Sequence, residues 1–202
     1  MLFIITIIID NNSYMNKVIL KRLVNEMRSL KKDPDQYFRA TFNKTNFHEI
    51  FFIIKGHPDS DFIGGTFFGK LVLPQDYPMA PPDFIFLTPN GRFSENRKIC
   101  LTISGFHKEQ WSSTWTIKNM ILALISIMLD DKVNGVSHIH LGKGERKKMA
   151  DESMNYNLSH HLDLVELFKD FISTPIVQDD PPNPNPNIPN IPNIPNPATP
   201  NP

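Results

Sequence analysis

Residues 49–90 read EIFFIIKGHPDSDFIGGTFFGKLVLPQDYPMAPPDFIFLTPN, and this stretch decides the fold. It holds three short apolar runs, Glu49–Lys55, Phe67–Leu73 and Asp83–Leu87. Gly56-His57-Pro58, Gly64-Gly65 and the prolines from Pro74 to Pro82 separate them. Short runs rich in Phe, Ile and Val, bounded by turn residues, predict consecutive antiparallel strands. Tyr37–Phe42 alternates weakly and adds a strand in front of the three. Pro74, Pro78, Pro81 and Pro82 fix φ and lack N–H donors, so a stiff, extended link is expected between the last two strands.

Helical periodicity frames the strands on both sides. From Asn16 to Lys32, Ile19, Leu23, Met27 and Leu30 recur at spacings of four, four and three, the stripe of an amphipathic helix. Asp33-Pro34 stops it. Phe93 to Thr114 has no sustained period and reads as loop. Thr116–Leu129 is a second amphipathic helix with Ile117, Ile121, Leu124, Ile125 and Met128 on one face, capped by Thr116 or Thr114. After a loop containing Asn134-Gly135, Gly144–Leu158 reads as a polar surface helix and Leu162–Phe171 as a short final one. The expected class is α+β: an N-terminal helix, a four-stranded antiparallel meander and C-terminal helices.

Composition divides the chain further. Eleven of the 18 prolines lie between Pro175 and Pro202. Residues 174–202 have almost no core-forming side chains, and Asn-Ile-Pro occurs three times there, so a disordered Pro/Asn-rich tail is expected. Residues 1–14 form an apolar extension that is too short to span a bilayer and lacks the flanks of a signal peptide. The remaining 15–173 are expected to be one core domain.

The charge is balanced, 21 Lys+Arg against 21 Asp+Glu, which removes the electrostatic argument for nucleic acid. The single cysteine excludes an internal disulfide framework and Cys-based zinc sites. His138-Ile-His140 and His160-His161 lack a third ligand at a persuasive spacing and read as surface residues. No phosphate-binding glycine motif is present. No cofactor and no metal are expected.

Two residues invite chemistry. Cys100 lies in Arg97-Lys98-Ile99-Cys100-Leu101, and Asn90 closes the last strand ten residues earlier. A thiol and an amide donor suit transfer between thioesters, where the leaving group is itself a thiol. No base is assigned for a thiol hydrolase.

The order of elements and these residues together resemble the ubiquitin-conjugating enzymes. The resemblance runs from about Asn16 to Leu129 and more weakly to Phe171. It rests on the basic first helix ending in Lys-Lys-Asp-Pro, Gly64-Gly65, Leu73-Pro-Gln-Asp-Tyr-Pro-Met-Ala-Pro-Pro82, Cys100-Leu101, Trp111 and Trp115. Thr88-Pro-Asn-Gly-Arg-Phe93, where most members have His-Pro-Asn, and Cys100-Leu-Thr-Ile-Ser-Gly-Phe-His107 resemble the J-type members of endoplasmic-reticulum protein degradation.

The resemblance implies that Cys100 accepts ubiquitin from an activating enzyme as a thioester and passes it, with a ligase, to lysine. Asn90 would steady the catalytic loop and the oxyanion. Lys21 and Arg22 match first-helix cations that meet the activating enzyme. Met79, Ser113 and Thr114 fall on the ligase-contact surface, with Ser113 replacing the usual Pro. The acceptor gate falls near Asn134 or Gly135, with Asp130, Asn134 and Ser137 as candidates. J-type members are associated with hydroxyl acceptors as well, for which His107 is a candidate base. The alternative is a catalytically idle ubiquitin-binding adaptor of the same fold. J-type members carry a C-terminal anchor, whereas this end is polar, so a monomer without a membrane anchor is expected. Its expected place is the cytoplasm, or the host cytoplasm for a viral source.

Overall fold

The structure is a computed structural model that describes residues 17–101, 103–105 and 111–176. The expected apolar extension over 1–14 and most of the expected Pro/Asn-rich tail lie outside them. Among the described residues nine elements follow one another: α1 (Lys17–Lys32), β1 (Phe38–Phe42), β2 (Glu49–Lys55), β3 (Thr66–Val72), β4 (Asp83–Phe86), α2 (Ile117–Leu129), α3 (Lys143–His160), α4 (Leu162–Leu167) and α5 (Lys169–Ser173). The sheet is an antiparallel meander in the order β1-β2-β3-β4. The α+β architecture is therefore the one expected, with strand ends shifted by about a residue.

Side-chain alternation splits the sheet into two buried faces. Ile50, Phe52, Ile54, Phe67, Leu71, Phe84 and Phe86 join the main core with Leu23, Leu30 and the buried face of α2. Gly69 is required there: it pairs with Phe52 on one side and Phe86 on the other. Those two rings meet edge to face at 5.7 Å, and a Cβ on Gly69 would lie 2.2 Å from the Phe52 ring. The opposite face, Ile53, Phe68 and Leu87, is covered by Leu164, Phe168 and Phe171. Phe168 stacks on Phe68 at 6.0 Å. Phe168→Ala is expected to cost about 3 kcal/mol, the low end for a buried Phe, because this cluster is small. A urea-melt midpoint measures it, and a loss well under 1 kcal/mol would show that α4 and α5 are not held through this ring.

Three expectations need correction. The Pro74–Pro82 link is not extended but turns on itself, with Tyr77 N–H donating to Pro74 O and Met79 N–H to Asp76 O; the prolines restrict φ yet leave these carbonyls as acceptors. The helix over 143–160 is not merely a surface element. Arg146, Ala150, Ser153 and Asn157 are buried along one stripe, and that stripe is polar because it satisfies strand-end groups. Ser153 Oγ accepts from Thr66 N–H at 2.8 Å. Asn157 donates to Thr66 O at 2.8 Å and accepts from Thr88 Oγ1 at 2.6 Å. Finally, the expected last helix is two, broken at Phe168, whose φ of −111° and ψ of 14° lie outside the helical basin.

Candidate functional site

The site is built from two irregular segments laid against each other. One runs from Thr88 to Leu101 after β4. The other is the 130–141 connection between α2 and α3. Asn90 organises the first. It is fully buried, its Oδ1 accepts from Arg92 N–H and Phe93 N–H at 2.9 Å each, and its Nδ2 donates to Thr88 O at 3.2 Å. This makes an Asx-type turn, which Gly91 completes at φ 74°. In this arrangement Asn90 Oδ1 and one of its two amide protons bond within its own loop.

Arg92 ties the two segments together. Its side chain is buried, yet it follows the turn directly and so points under the 130–138 stretch. One guanidinium nitrogen donates to Asp130 O at 2.9 Å and Val133 O at 2.5 Å. The other meets His138 Nδ1 at 3.0 Å. Burial holds its pKa below the ordinary arginine value, and neighbouring Arg146 adds to that. It nevertheless remains a cation at any pH where the fold exists.

That fact sets the tautomer of His138. Nδ1 lies 3.0 Å from the guanidinium, which can only donate, and 3.2 Å from Val133 O, which already accepts from Arg92 at 2.5 Å; the shorter contact assigns Nδ1 as the acceptor and the proton to Nε2. Nε2–H then donates to Cys100 O at 3.0 Å. Cys100 N–H donates to Val136 O at 3.1 Å. Both backbone groups of Cys100 are thereby fixed to the opposite segment. Its side chain is half-buried. Gly135 lies against the same spot: a Cβ there would come 3.2 Å from Cys100 Cβ and 3.2 Å from His138 Nε2.

His138 is a correction to the sequence reading, which placed it on the surface. It is half-buried because the Phe93 ring packs edge-on against it at 5.0 Å. His161, read the same way, is also half-buried, with Nε2 3.3 Å from Leu87 O. Arg22, expected to meet the activating enzyme, also makes contacts within the chain. Its guanidinium donates to Ser113 O at 2.6 Å and Trp115 O at 2.7 Å and pairs with Glu26 at 2.8 Å. It thus pins α1 to the 111–115 loop, while Lys21 and Thr114 are exposed and Ser113 is half-buried. Met79 is 74% exposed. Of the gate candidates, Asp130 and Asn134 are exposed and Ser137 half-buried, but the residue against Cys100 is Gly135. His107 lies outside the described residues. Among the described residues there is no cluster of three or more His, Cys, Asp or Glu able to hold a metal.

Burial and Arg92 lower the His138 pKa from its ordinary value of 6.5; the Cys100 and Val133 carbonyls pull the other way, and His140 adds a small push down. The unfolded chain therefore binds more protons than the native one near that value, so unfolding free energy rises with pH there. Stability is expected to fall as pH drops through 6.5 and below. Denaturant midpoints at pH 7.5 and 5.5 should differ less in His138→Gln than in the wild type; equal differences would contradict the assignment.

The site thus holds a half-buried thiol on a loop fixed through both backbone groups of Cys100. Residues 22–154 match the family model described as ubiquitin-conjugating enzyme, and the chain belongs to that family. Ubiquitin-conjugating enzyme E2 J1 of Homo sapiens is 41% identical over 137 residues, covering 68% of this chain and 43% of that protein. Ubiquitin-conjugating enzyme E2 32 of Arabidopsis thaliana is 37% identical over 66% of this chain and 43% of its own length. Ubiquitin-conjugating enzyme E2 6 of Candida glabrata is 32% identical over 78% of this chain and 64% of its own. The chain thus spans less than half the length of the J1 and Arabidopsis relatives. The J-type resemblance agrees with these matches. Among the described residues no helix is long and apolar enough to cross a membrane.

Proposed function

We propose that this chain accepts ubiquitin from an activating enzyme as a thioester on Cys100 and passes it to a substrate amine with the help of a ligase. The observation that carries the reading is the placement of the sole cysteine. Its N–H and C=O are held by Val136 and His138, while its side chain stays partly open to solvent. In the first step the Cys100 thiolate attacks the ubiquitin carbonyl on the activating enzyme. A new C–S bond forms, the old one breaks, and the departing sulfur leaves as thiolate. In the second step an amine attacks the same carbonyl, an amide forms, and Cys100 leaves as thiolate while the amine proton passes to solvent. ATP is spent by the activating enzyme, so no cofactor is needed here.

The family resemblance supports Lys21 as a contact for the activating enzyme and Met79, Ser113 and Thr114 as a ligase surface. Arg22 supports the same surfaces from within, by fixing the loop that carries Ser113. The catalytic unit we assign is 15–173, and its place is the cytoplasm. The test is incubation with activating enzyme, ubiquitin and ATP, followed by non-reducing electrophoresis. An adduct that disappears with a thiol reductant supports the reading; no adduct from folded protein contradicts it.

A further inference from the structure

The 134–138 turn brings an imidazole, a glycine and the cysteine to one point, and nothing in the thioester chemistry above uses the imidazole. Both of its nitrogens are engaged. Nδ1 accepts a hydrogen bond from Arg92 at 3.0 Å, and Nε2–H donates one to Cys100 O at 3.0 Å. With no lone pair left over, this ring is not poised to remove a proton from an incoming nucleophile. It is poised to hold a carbonyl. The ring packs at nearly a right angle against Phe93, and Arg92 is anchored independently to Asp130 O and Val133 O. The chain of contacts therefore runs from a buried cation through a neutral imidazole to the peptide of the nucleophile.

Gly135 fits the same picture. A side chain there would press on Cys100 O at 3.1 Å and on His138 Nε2 at 3.2 Å. The space beside the nucleophile that a longer residue at 135 would fill is taken by the imidazole of His138.

We propose that His138 is a positioning residue for Cys100: its Nε2–H, oriented by Arg92, fixes the Cys100 carbonyl and so sets the direction in which the sulfur and its acyl group are presented. Its role in transfer rests on the thioester reading, and its effect on the cysteine itself does not. Positioning of reacting atoms is worth orders of magnitude in rate, and a displacement of the order of 1 Å costs up to about a hundredfold. Two substitutions separate the positioning role from bulk. His138→Leu removes donor and acceptor. His138→Gln keeps both, because its amide oxygen can accept from Arg92 while its nitrogen donates to Cys100 O.

The experiment uses the full chain and three readouts. The first is the rate of iodoacetamide alkylation across pH, which reports Cys100 alone because no other cysteine exists. The second is single-turnover discharge of preloaded ubiquitin to free lysine. The third is the imidazole nitrogen chemical shifts of His138 in the wild-type protein, which need no variant. His138→Leu is expected to slow discharge about tenfold and to displace the alkylation profile, with His138→Gln within about threefold of wild type in both. The wild-type ring is expected as the neutral Nε2–H tautomer at pH 7. Discharge and alkylation by His138→Leu within twofold of wild type would overturn the proposal. So would a Gln variant as impaired as Leu, or a wild-type ring found charged or protonated on Nδ1 at pH 7. Absence of ubiquitin loading in the wild type would overturn the thioester reading instead, and alkylation and ring shifts would still decide His138.

Discussion

Cys100→Ser is expected to convert a transient thioester into a stable ester. The serine adduct should survive thiol reductant, dissolve in mild hydroxide, and discharge to lysine at least roughly a thousandfold more slowly than the wild type, a barrier increase of about 4 kcal/mol. The cause is the leaving group. A thiolate is a far more stable anion than an alkoxide and so departs more readily. An alkoxide is a far stronger base, and the imidazole of His138 beside it has both nitrogens engaged. Loading should also be slower, because a hydroxyl is a weak nucleophile without an adjacent base. Cys100→Ala should take no ubiquitin. Equal discharge by Ser and Cys forms would mean that the sulfur is not the carrier. An adduct retained by the Ala form would place ubiquitin on a side-chain amine.

What the sequence made legible follows from periodicity. Leu23, Met27 and Leu30 pack into the core at the helical spacing that marked them. Ile50, Phe52 and Ile54 share one sheet face and Ile53 the other, as a period of two requires. Thr116 caps α2 by accepting from Asn119 N–H at 3.2 Å. The site was legible only where a residue type is informative alone, as with the sole cysteine and the amide of Asn90. His138, Arg92 and Arg146 gave no such signal. They lie in irregular segments or on a helix whose buried stripe is polar, so neither period nor hydropathy marks them. Arg92 between a glycine and a phenylalanine reads as a surface charge. Only the fold shows that the turn at Asn90 aims it beneath the second segment. The turn-forming Asn134-Gly135 just ahead of His138 was a usable hint: a glycine leaves room for a neighbouring ring.

Arg92→Ala should produce the largest loss of stability at the site, about 4 kcal/mol, within the range for breaking a buried charged contact. Three acceptors lose their donor at once: Asp130 O, Val133 O and His138 Nδ1. A cavity opens beneath them, and Phe93 loses a guanidinium centred 5.0 Å from its ring. Two terms work against the loss. The substitution removes a desolvated cation that lies near Arg146, and it removes a buried Nε that has no partner. These keep the effect well below the sum of three hydrogen bonds to a charge, each about 1.5–3 kcal/mol. At about 2–4 °C per kcal/mol for a domain of this size, the melting temperature should fall by roughly 8–16 °C. Arg92→Lys should recover less than half of it, because one ammonium cannot span acceptors that a planar fork reaches from two nitrogens. Calorimetry of the two variants decides the point. A lysine form as stable as wild type would show that charge alone matters, and an alanine form within 1 kcal/mol would show that the 130–138 segment is held by other contacts. The loss should extend to chemistry as well. Without Arg92, His138 Nδ1 has no donor to fix its tautomer, and the ring is free to protonate or flip. Discharge from Cys100 in Arg92→Ala, measured well below its melting temperature, should then fall about as far as in His138→Leu. The double variant should be little worse than either alone, because both substitutions break the same chain of contacts.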